Sequence, residues 1–256
     1  MSLRTKIKKK QDVSQKDHKD MFYIFQKYYD CISFDKFVRD LQNKTHVIFL
    51  FDHLKLIGFS TAHLGQSPKY KGTVIFSGDT VVERKYWGQK ILQKAFYQLL
   101  FKAIIKSPFR PVYWMLMSKG YKTYLLMRKN FPRSYPNFYE STPYQLEEIK
   151  NCFYKDHYGI FFQKNQSIIA FDSSKGQLKQ GIAQASEADC LNPEINFFTA
   201  KNPKASLGEE LACIAHIRWY DLFYTGIKHC RHWFKLNNPG KQTNASISRF
   251  PTRGRA

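Results

Sequence analysis

The stretch Thr73–Ile105, TVIFSGDTVVERKYWGQKILQKAFYQLLFKAII, decides the fold. Its first ten residues are rich in β-branched and aromatic side chains, which suit a buried, pleated strand. Gly78-Asp79 interrupts that run and predicts a bulge or kink. From Ile91 onward the apolar residues recur at helical spacing. Ile91, Leu92, Ala95, Phe96, Leu99, Leu100, Ala103 and Ile104 make one stripe, with Gln93, Lys94, Gln98 and Lys102 off it. Between strand and helix sits Glu83-Arg84-Lys85-Tyr86-Trp87-Gly88-Gln89-Lys90. A helix N-terminus offers unpaired N–H groups and a partial positive charge, and neighbouring lysine and arginine strengthen that field. The stretch therefore predicts a phosphate or pyrophosphate site at a strand-to-helix turn.

Working upstream, Asp17–Tyr29 carries a broad apolar face at helical spacing, and Phe34–Gln42 reads as a second helix capped by Ser33. His46–Phe51 and Lys55–Ala62 are apolar strands joined by a turn at Asp52-His53, and Gly65-Gln66-Ser67-Pro68 reads as a loop. These strands and Thr73–Val82 predict an antiparallel meander. Downstream, Val112–Met117 is a buried strand and Gly120–Asn130 a short helix. This order predicts an α/β layer in which Thr73–Val82 and Val112–Met117 are parallel neighbours, with the helix Gln89–Ile105 crossing between them.

The flanks divide the chain into a flexible basic arm over residues 1–16, a core over 17–140 and an extension over 141–256. The extension is expected to complete the sheet or pack on it and to end in a disordered tail. Within it, Pro143–Asp156 predicts a helix, Ile168–Phe171 a short strand, Ser173–Ala205 mostly loop, Glu210–Ile217 a strand and Trp219–Phe234 an aromatic helix.

The formal net charge of +21 over 256 residues favours acidic partners, whether nucleic acid, an anionic membrane or phosphate-bearing ligands. No apolar run reaches the length of a membrane span, and the basic N-terminus has no apolar segment after it, as a secretory signal would. Cys31, Cys152, Cys190, Cys213 and Cys230 are odd in number and scattered, which argues for reduced thiols and a cytoplasmic setting. His229, Cys230 and His232, with His216 upstream, fit no standard zinc spacing, so no metal is expected. Neither a P-loop nor a Gly-x-Ser-x-Gly elbow occurs.

Thr80-x-Val82 followed by Tyr86-Trp87-Gly88-Gln89-Lys90-Ile91 resembles the acyl-coenzyme A loop of GNAT-type acyltransferases. The family's loop pattern is Arg/Gln-Gly-x-Gly-x-Gly/Ala after a strand ending in valine. Here Trp87 stands for the Arg or Gln, Lys90 for a Gly, and Leu92 for the last Gly or Ala. The resemblance covers about the first half of the chain. It implies a central mixed sheet flanked by helices, with a C-terminal extension beyond it. It also implies acetyl-CoA or another acyl-CoA as co-substrate. Thr80, Val81 and Val82 would lie along the pantetheine arm, and Arg84, Trp87, Gly88, Gln89, Lys90 and Ile91 around the pyrophosphate. The run Ser118–Phe131 resembles the family's closing helix, with Leu126 where the family places its general-acid tyrosine.

Acyl transfer to an amine needs the amine deprotonated and the developing oxyanion held. Asp79 and Glu83 are the candidate bases, Tyr124 or Tyr121 the candidate acids from a neighbouring turn, and the Val82 N–H a donor to the oxyanion. The expected activity is N-acyl transfer from acyl-CoA, with acyl carrier protein as an alternative donor, to an amine acceptor. The basic surface argues against a polybasic acceptor and for a neutral or acidic one. The rival expectation is a non-catalytic protein of the same fold that binds nucleic acid or an anionic membrane.

Overall fold

The computed structural model describes residues 2–171, 177–179 and 185–221. Contacts divide the chain into Met1–Trp219 and Tyr220–Ala256, and the architecture below is that of the first unit. In chain order its strands are β1 (Leu3–Lys9), β2 (Tyr29–Asp30), β3 (His46–Asp52), β4 (Lys55–Ser67), β5 (Gly72–Val82), β6 (Val112–Ser118), β7 (Ser134–Tyr135), β8 (Phe162–Gln163), β9 (Ile168–Ile169), β10 (Gln177–Leu178) and β11 (Glu210–Ile217). The helices are α1 (Gln15–Phe25), α2 (Phe34–Gln42), α3 (Ile91–Lys106), α4 (Tyr121–Asn130), α5 (Tyr144–Tyr158), α6 (Glu187–Cys190) and α7 (Pro193–Lys201).

Among the described residues, nine strands form one mixed sheet in the order β1-β3-β4-β5-β6-β11-β9-β8, with β7 also pairing to β11. The expected meander is present as β3, β4 and β5, all antiparallel. β5 and β6 run parallel, from Thr73 opposite Val112 to Ser77 opposite Leu116, with α3 in the connection between them. β11 then lies antiparallel against the far side of β6, so a strand from the C-terminal half completes the sheet.

Alternation along the strands sends side chains to two faces. On one face, Met21, Ile24 and Phe25 of α1 and Phe37 and Leu41 of α2 pack on Val47, Phe49, Phe59 and Val81. Farther along that face, Phe153 and Tyr154 of α5 cover Phe76, Met115 and Ile214. On the opposite face Phe96 of α3 stacks on Trp114 of β6 at 4.8 Å, and Phe131, just beyond α4, meets the same indole edge-on at 5.2 Å. The Trp114 Nε1–H donates to Ser77 Oγ at 2.9 Å, which ties β5 to β6 where their pairing ends.

Four expectations are corrected. Residues 3–9 are an edge strand, not a flexible arm: Leu3–Lys9 pairs with β3 over seven residues. The lysines disguise a period-two pattern in which Thr5 faces α3, its Oγ1 bonded to Gln98 Oε1 at 3.3 Å, while Arg4 and Lys6 face solvent. Outward lysines are also what discourages an edge strand from pairing with another molecule. Gly65, Gln66 and Ser67 belong to β4, because cross-strand pairing with Val74, Thr73 and Gly72 overrides their turn propensity, and the turn falls at Pro68–Lys71. Within the stretch read as loop, α6 and α7 form; Ser186 caps the first with a reciprocal capping box, and Asn192 caps the second ahead of Pro193. Finally, α3 begins at Ile91 rather than Gln89, because Lys90 adopts a left-handed conformation (φ 56°). The disordered tail, the His229–His232 cluster and most of the helix expected over Trp219–Phe234 lie outside the described residues.

Ser77→Ala is expected to leave the buried Trp114 N–H without an acceptor and to lower stability by about 1–3 kcal/mol. Equilibrium denaturation followed by tryptophan fluorescence measures this, and an unchanged midpoint would exclude the bond as a stabilising tie.

Candidate functional site

Opposite Thr61 of β4, β5 spends two residues, Gly78 and Asp79, where the regular ladder would spend one. This is the bulge expected from the Gly-Asp interruption. It coincides with the end of the β5–β6 pairing at Ser77, although β5 runs on to Val82 and β6 to Ser118. Beyond that point the two strands no longer bond, and a cleft of about 1280 Å³ opens there, bounded by Gly78–Val82, Trp87–Gln93 and Lys119–Thr123. A Cβ at 78 would meet Thr61 Oγ1 at 2.6 Å and Lys44 Nζ at 2.7 Å, so any larger residue there has to displace both side chains.

The strand end presents backbone groups to this cleft. Glu83 donates its N–H to Ile57 O at 2.8 Å, so the ladder's alternation turns the N–H and C=O of Val82 away from β4. The Val82 carbonyl is already engaged, because the Trp87 indole Nε1–H donates to it at 2.8 Å. Trp87 thus closes the strand end with its side chain, in addition to lying in the loop. Lys122 Nζ sits over the same indole, 3.9 Å from the ring centroid, and Arg84 Cζ lies 5.8 Å from it. Burial first, then the Arg84 charge, pushes the Lys122 ammonium below the usual lysine value, against the opposing pull of Asp189.

After Trp87 the chain turns through Gly88, at φ +80°, and Lys90 into α3. The first helical bond is Lys94 N–H to Lys90 O at 3.1 Å. Among the described residues, the N–H groups of Ile91, Leu92 and Gln93 find no acceptor and point toward the cleft end of the helix. Three orphan donors and the positive end of a 16-residue helix meet there, and the lysines at 90, 122 and 129 line the same cleft. This donor set suits a polyanion such as a pyrophosphate.

Acids also line the cleft. Asp79 lies on the bulge, half-buried, and among the described residues it has neither a hydrogen-bond donor nor an ion-pair partner. Glu210, at the start of β11, also lines the cleft, with Lys119 Nζ at 3.6 Å. Tyr29 and Tyr158 line the same cleft. Burial first, then Asp79 and Glu210, drives the Tyr29 phenol well up; burial, then Glu210 and Asp79, does the same to Tyr158. Both tyrosines are therefore neutral hydroxyls at any ordinary pH.

The expected site residues separate accordingly. Asp79, Thr80, Val81, Val82, Trp87, Gly88, Gln89, Lys90 and Ile91 all line the cleft, and Arg84 reaches its edge through the Trp87 ring. Glu83 does not line it; its carboxylate points to Lys27 at 3.1 Å and Lys55 at 3.9 Å. Tyr124 is buried behind α4, where its hydroxyl bonds Glu194 Oε2 at 2.5 Å and Pro136 O at 3.2 Å. Tyr121, one turn earlier, does reach the cleft, with its hydroxyl on Asp189 at 3.2 Å. Sequence reading missed Glu210, Lys119, Tyr29 and Tyr158. The single local hint was a carboxylate opening the otherwise apolar strand ELACIAHI; nothing in spacing sets it opposite Asp79. No group of residues able to hold a metal ion occurs among the described residues.

No protein-family model matches the chain, and no curated protein matches it. Among solved structures, an aminoglycoside acetyltransferase from an uncultured soil metagenomic sample, in complex with sisomicin, overlays 50% of this chain and 84% of its own at 15% identity and a TM-score of 0.37. An acyl-CoA N-acyltransferase from Pseudomonas aeruginosa overlays 51% of this chain and 88% of its own at 17% identity and a TM-score of 0.36. A probable acetyltransferase from methicillin-resistant Staphylococcus aureus overlays 49% and 87%, at 21% identity and a TM-score of 0.36.

Gly88→Ala is expected to cost about 1–2 kcal/mol through its left-handed backbone alone, since a Cβ there meets nothing within 4 Å. A denaturant titration reads this directly. A neutral result would mean that the turn relaxes to negative φ.

Proposed function

We propose that the cleft binds an acyl-CoA and that the protein is an N-acyltransferase acting on an amine acceptor. The observation that carries this reading is the parting of β5 and β6. It places a turned-out strand backbone, an uncapped helix N-terminus and a half-buried carboxylate around one elongated cavity. The donor set at Lys90–Gln93 fits a pyrophosphate, and the Val82 N–H is available to a pantetheine amide or to the thioester oxygen.

Asp79 is the candidate base on this reading, because it is the cleft carboxylate with no partner among the described residues to hold it. An acceptor ammonium gives one proton to Asp79, directly or through water. The free amine attacks the thioester carbon, and the new C–N bond forms as the C–S bond breaks. The nitrogen's second proton goes to the departing sulfur, and Tyr29, Tyr121 and Tyr158 are cleft hydroxyls available to relay it. Glu83 is assigned a pairing role with Lys27 and Lys55, and Tyr124 a packing role with Glu194.

Calorimetric titration with acetyl-CoA tests the reading. Saturable binding is expected, and Lys90→Ala is expected to weaken it by roughly 1 kcal/mol or more through loss of a charge-assisted contact. Absence of binding at millimolar acetyl-CoA overturns the assignment. If the protein then retains a salt-sensitive affinity for nucleic acid or anionic vesicles, the basic surface is its working part.

A further inference from the structure

We infer that the outer face of α3 and the turn after it dock on an anionic membrane, with Phe101, Ile105 and Phe109 entering the bilayer interface and Lys94, Lys102, Lys106 and Arg110 meeting lipid phosphates. This goes beyond the acyl-transfer reading of the cleft and does not depend on it.

α3 buries Phe96, Leu99, Leu100, Ala103 and Ile104 against the sheet. At about 100° per residue, positions 101 and 105 then fall on the side of the helix opposite that stripe. A surface helix ordinarily carries polar groups there. α3 carries Phe101, 58% exposed, and Ile105, 61% exposed, one turn apart. Past the helix end, the N–H groups of Ser107 and Arg110 donate to Ile104 O and Ser107 O, each at 3.1 Å. The turn they make leaves Phe109 98% exposed. Core packing accounts for none of these three side chains. One exposed apolar residue is ordinary, whereas three at four-residue intervals mark a surface that binds something.

The surroundings are cationic. Lys94, Lys102 and Lys106 are exposed on the same helix and Arg110 in the turn, and Lys102 and Lys106 directly follow Phe101 and Ile105. Among the described residues, none of these four side chains makes a hydrogen bond or an ion pair. The sequence supplies the reason: Arg84 to Tyr139 contains twelve lysines and arginines and no acidic residue. Elsewhere exposed lysines do find acids, as Lys16 does Asp20, Lys55 Glu83 and Lys164 Glu148.

This combination selects the occupant. In a helix that lies in a bilayer interface, the apolar side chains enter the headgroup boundary and the cations hold anionic lipids. Nucleic acid would use the cations, but Ile105 has no ring to stack on a base. A second copy docked two-fold through this face would set lysines against lysines. Docking here also leaves the cleft open, because Ile105 lies about 20 Å along α3 from Ile91, which lines the cleft.

Co-sedimentation of the full chain with vesicles tests this, comparing phosphatidylcholine alone with phosphatidylcholine containing about 30% phosphatidylserine. Binding to the anionic vesicles is expected to be stronger by about tenfold or more and to weaken with salt. Ile105→Ser combined with Phe109→Ser is expected to lower it about tenfold, and so is Lys102→Gln combined with Lys106→Gln. All four positions are exposed, so melting temperatures are expected to hold. Should the first pair disturb folding, Phe109→Ser alone repeats the test at the most exposed of the three apolar residues. Acetyl-CoA affinity, which reports on the cleft alone, is expected to stay within about twofold in both pairs. No binding to anionic vesicles, or binding that loss of the apolar side chains leaves unchanged, overturns the inference. Tighter binding to duplex DNA that responds to the lysine pair only would assign the face to nucleic acid instead. A dimer in sedimentation velocity that Ile105→Ser with Phe109→Ser dissolves would assign it to a second copy, and either result sinks the membrane reading.

Discussion

The parting of β5 from β6 is the constraint on which the rest depends. Parallel strands in a sheet ordinarily stay bonded along their shared length. Here the bulge at Gly78-Asp79 bends β5 after Ser77, and the next five residues lose their neighbour on that side. Leaving N–H and C=O groups unpaired inside a protein is costly. The structure meets part of the cost with the Trp87 indole, which satisfies the Val82 carbonyl. The Val82 N–H is left to water or a ligand. Trp114, bonded to Ser77 and wedged between Phe96 and Phe131, holds the two strands together up to the point of separation. The cleft is therefore a consequence of where a ladder ends, and both ends of the site inherit their positions from it.

The architecture was legible because its signals are local and periodic. The apolar stripe of α3, the β-branched run of β5 and the Gly-Asp interruption each report directly on backbone geometry, and together they imply the β5–α3–β6 unit. What escaped was structure set by distant partners. β1 looked like a charged tail because an edge strand keeps lysines on its outer face. Gly65–Ser67 looked like a loop because its pairing with Gly72–Val74 is not written in its own residues. Pro193 and Asn192 did carry a helix start, masked by a segment otherwise rich in turn formers.

The site was legible on one side. On the acyl-CoA reading, its anion-binding half is a continuous stretch, Val82 to Gln93, whose chemistry follows from one turn and one helix end. Its carboxylates Asp79 and Glu210 come from β5 and β11 of the main sheet and the tyrosines 29 and 158 from β2 and α5, and no sequence spacing relates them. Composition misleads for the same reason. A net charge sums over a surface, whereas binding responds to the few groups within a Debye length and on the ligand's side of a low-dielectric wall.

Trp87, Lys90 and Leu92 depart from the glycine-rich acyl-CoA loop that the stretch resembles, and their placement gives that departure a physical sense. Glycine serves such loops by letting phosphate approach the backbone, and here Gly88 alone keeps the positive φ without contact to any neighbour. Lys90 reaches a left-handed conformation without being glycine, at a cost of order 1 kcal/mol. It thereby keeps the turn while adding a full charge beside the helix end. Trp87 gives up a cationic side chain at its own position but carries Lys122 of α4 on one face and has Arg84 of the same loop 5.8 Å from its ring, so two cations flank the indole. On the acyl-CoA reading, a site built on close backbone approach has been exchanged for one built on side-chain charge, which is longer in reach, less demanding of glycine and more sensitive to salt.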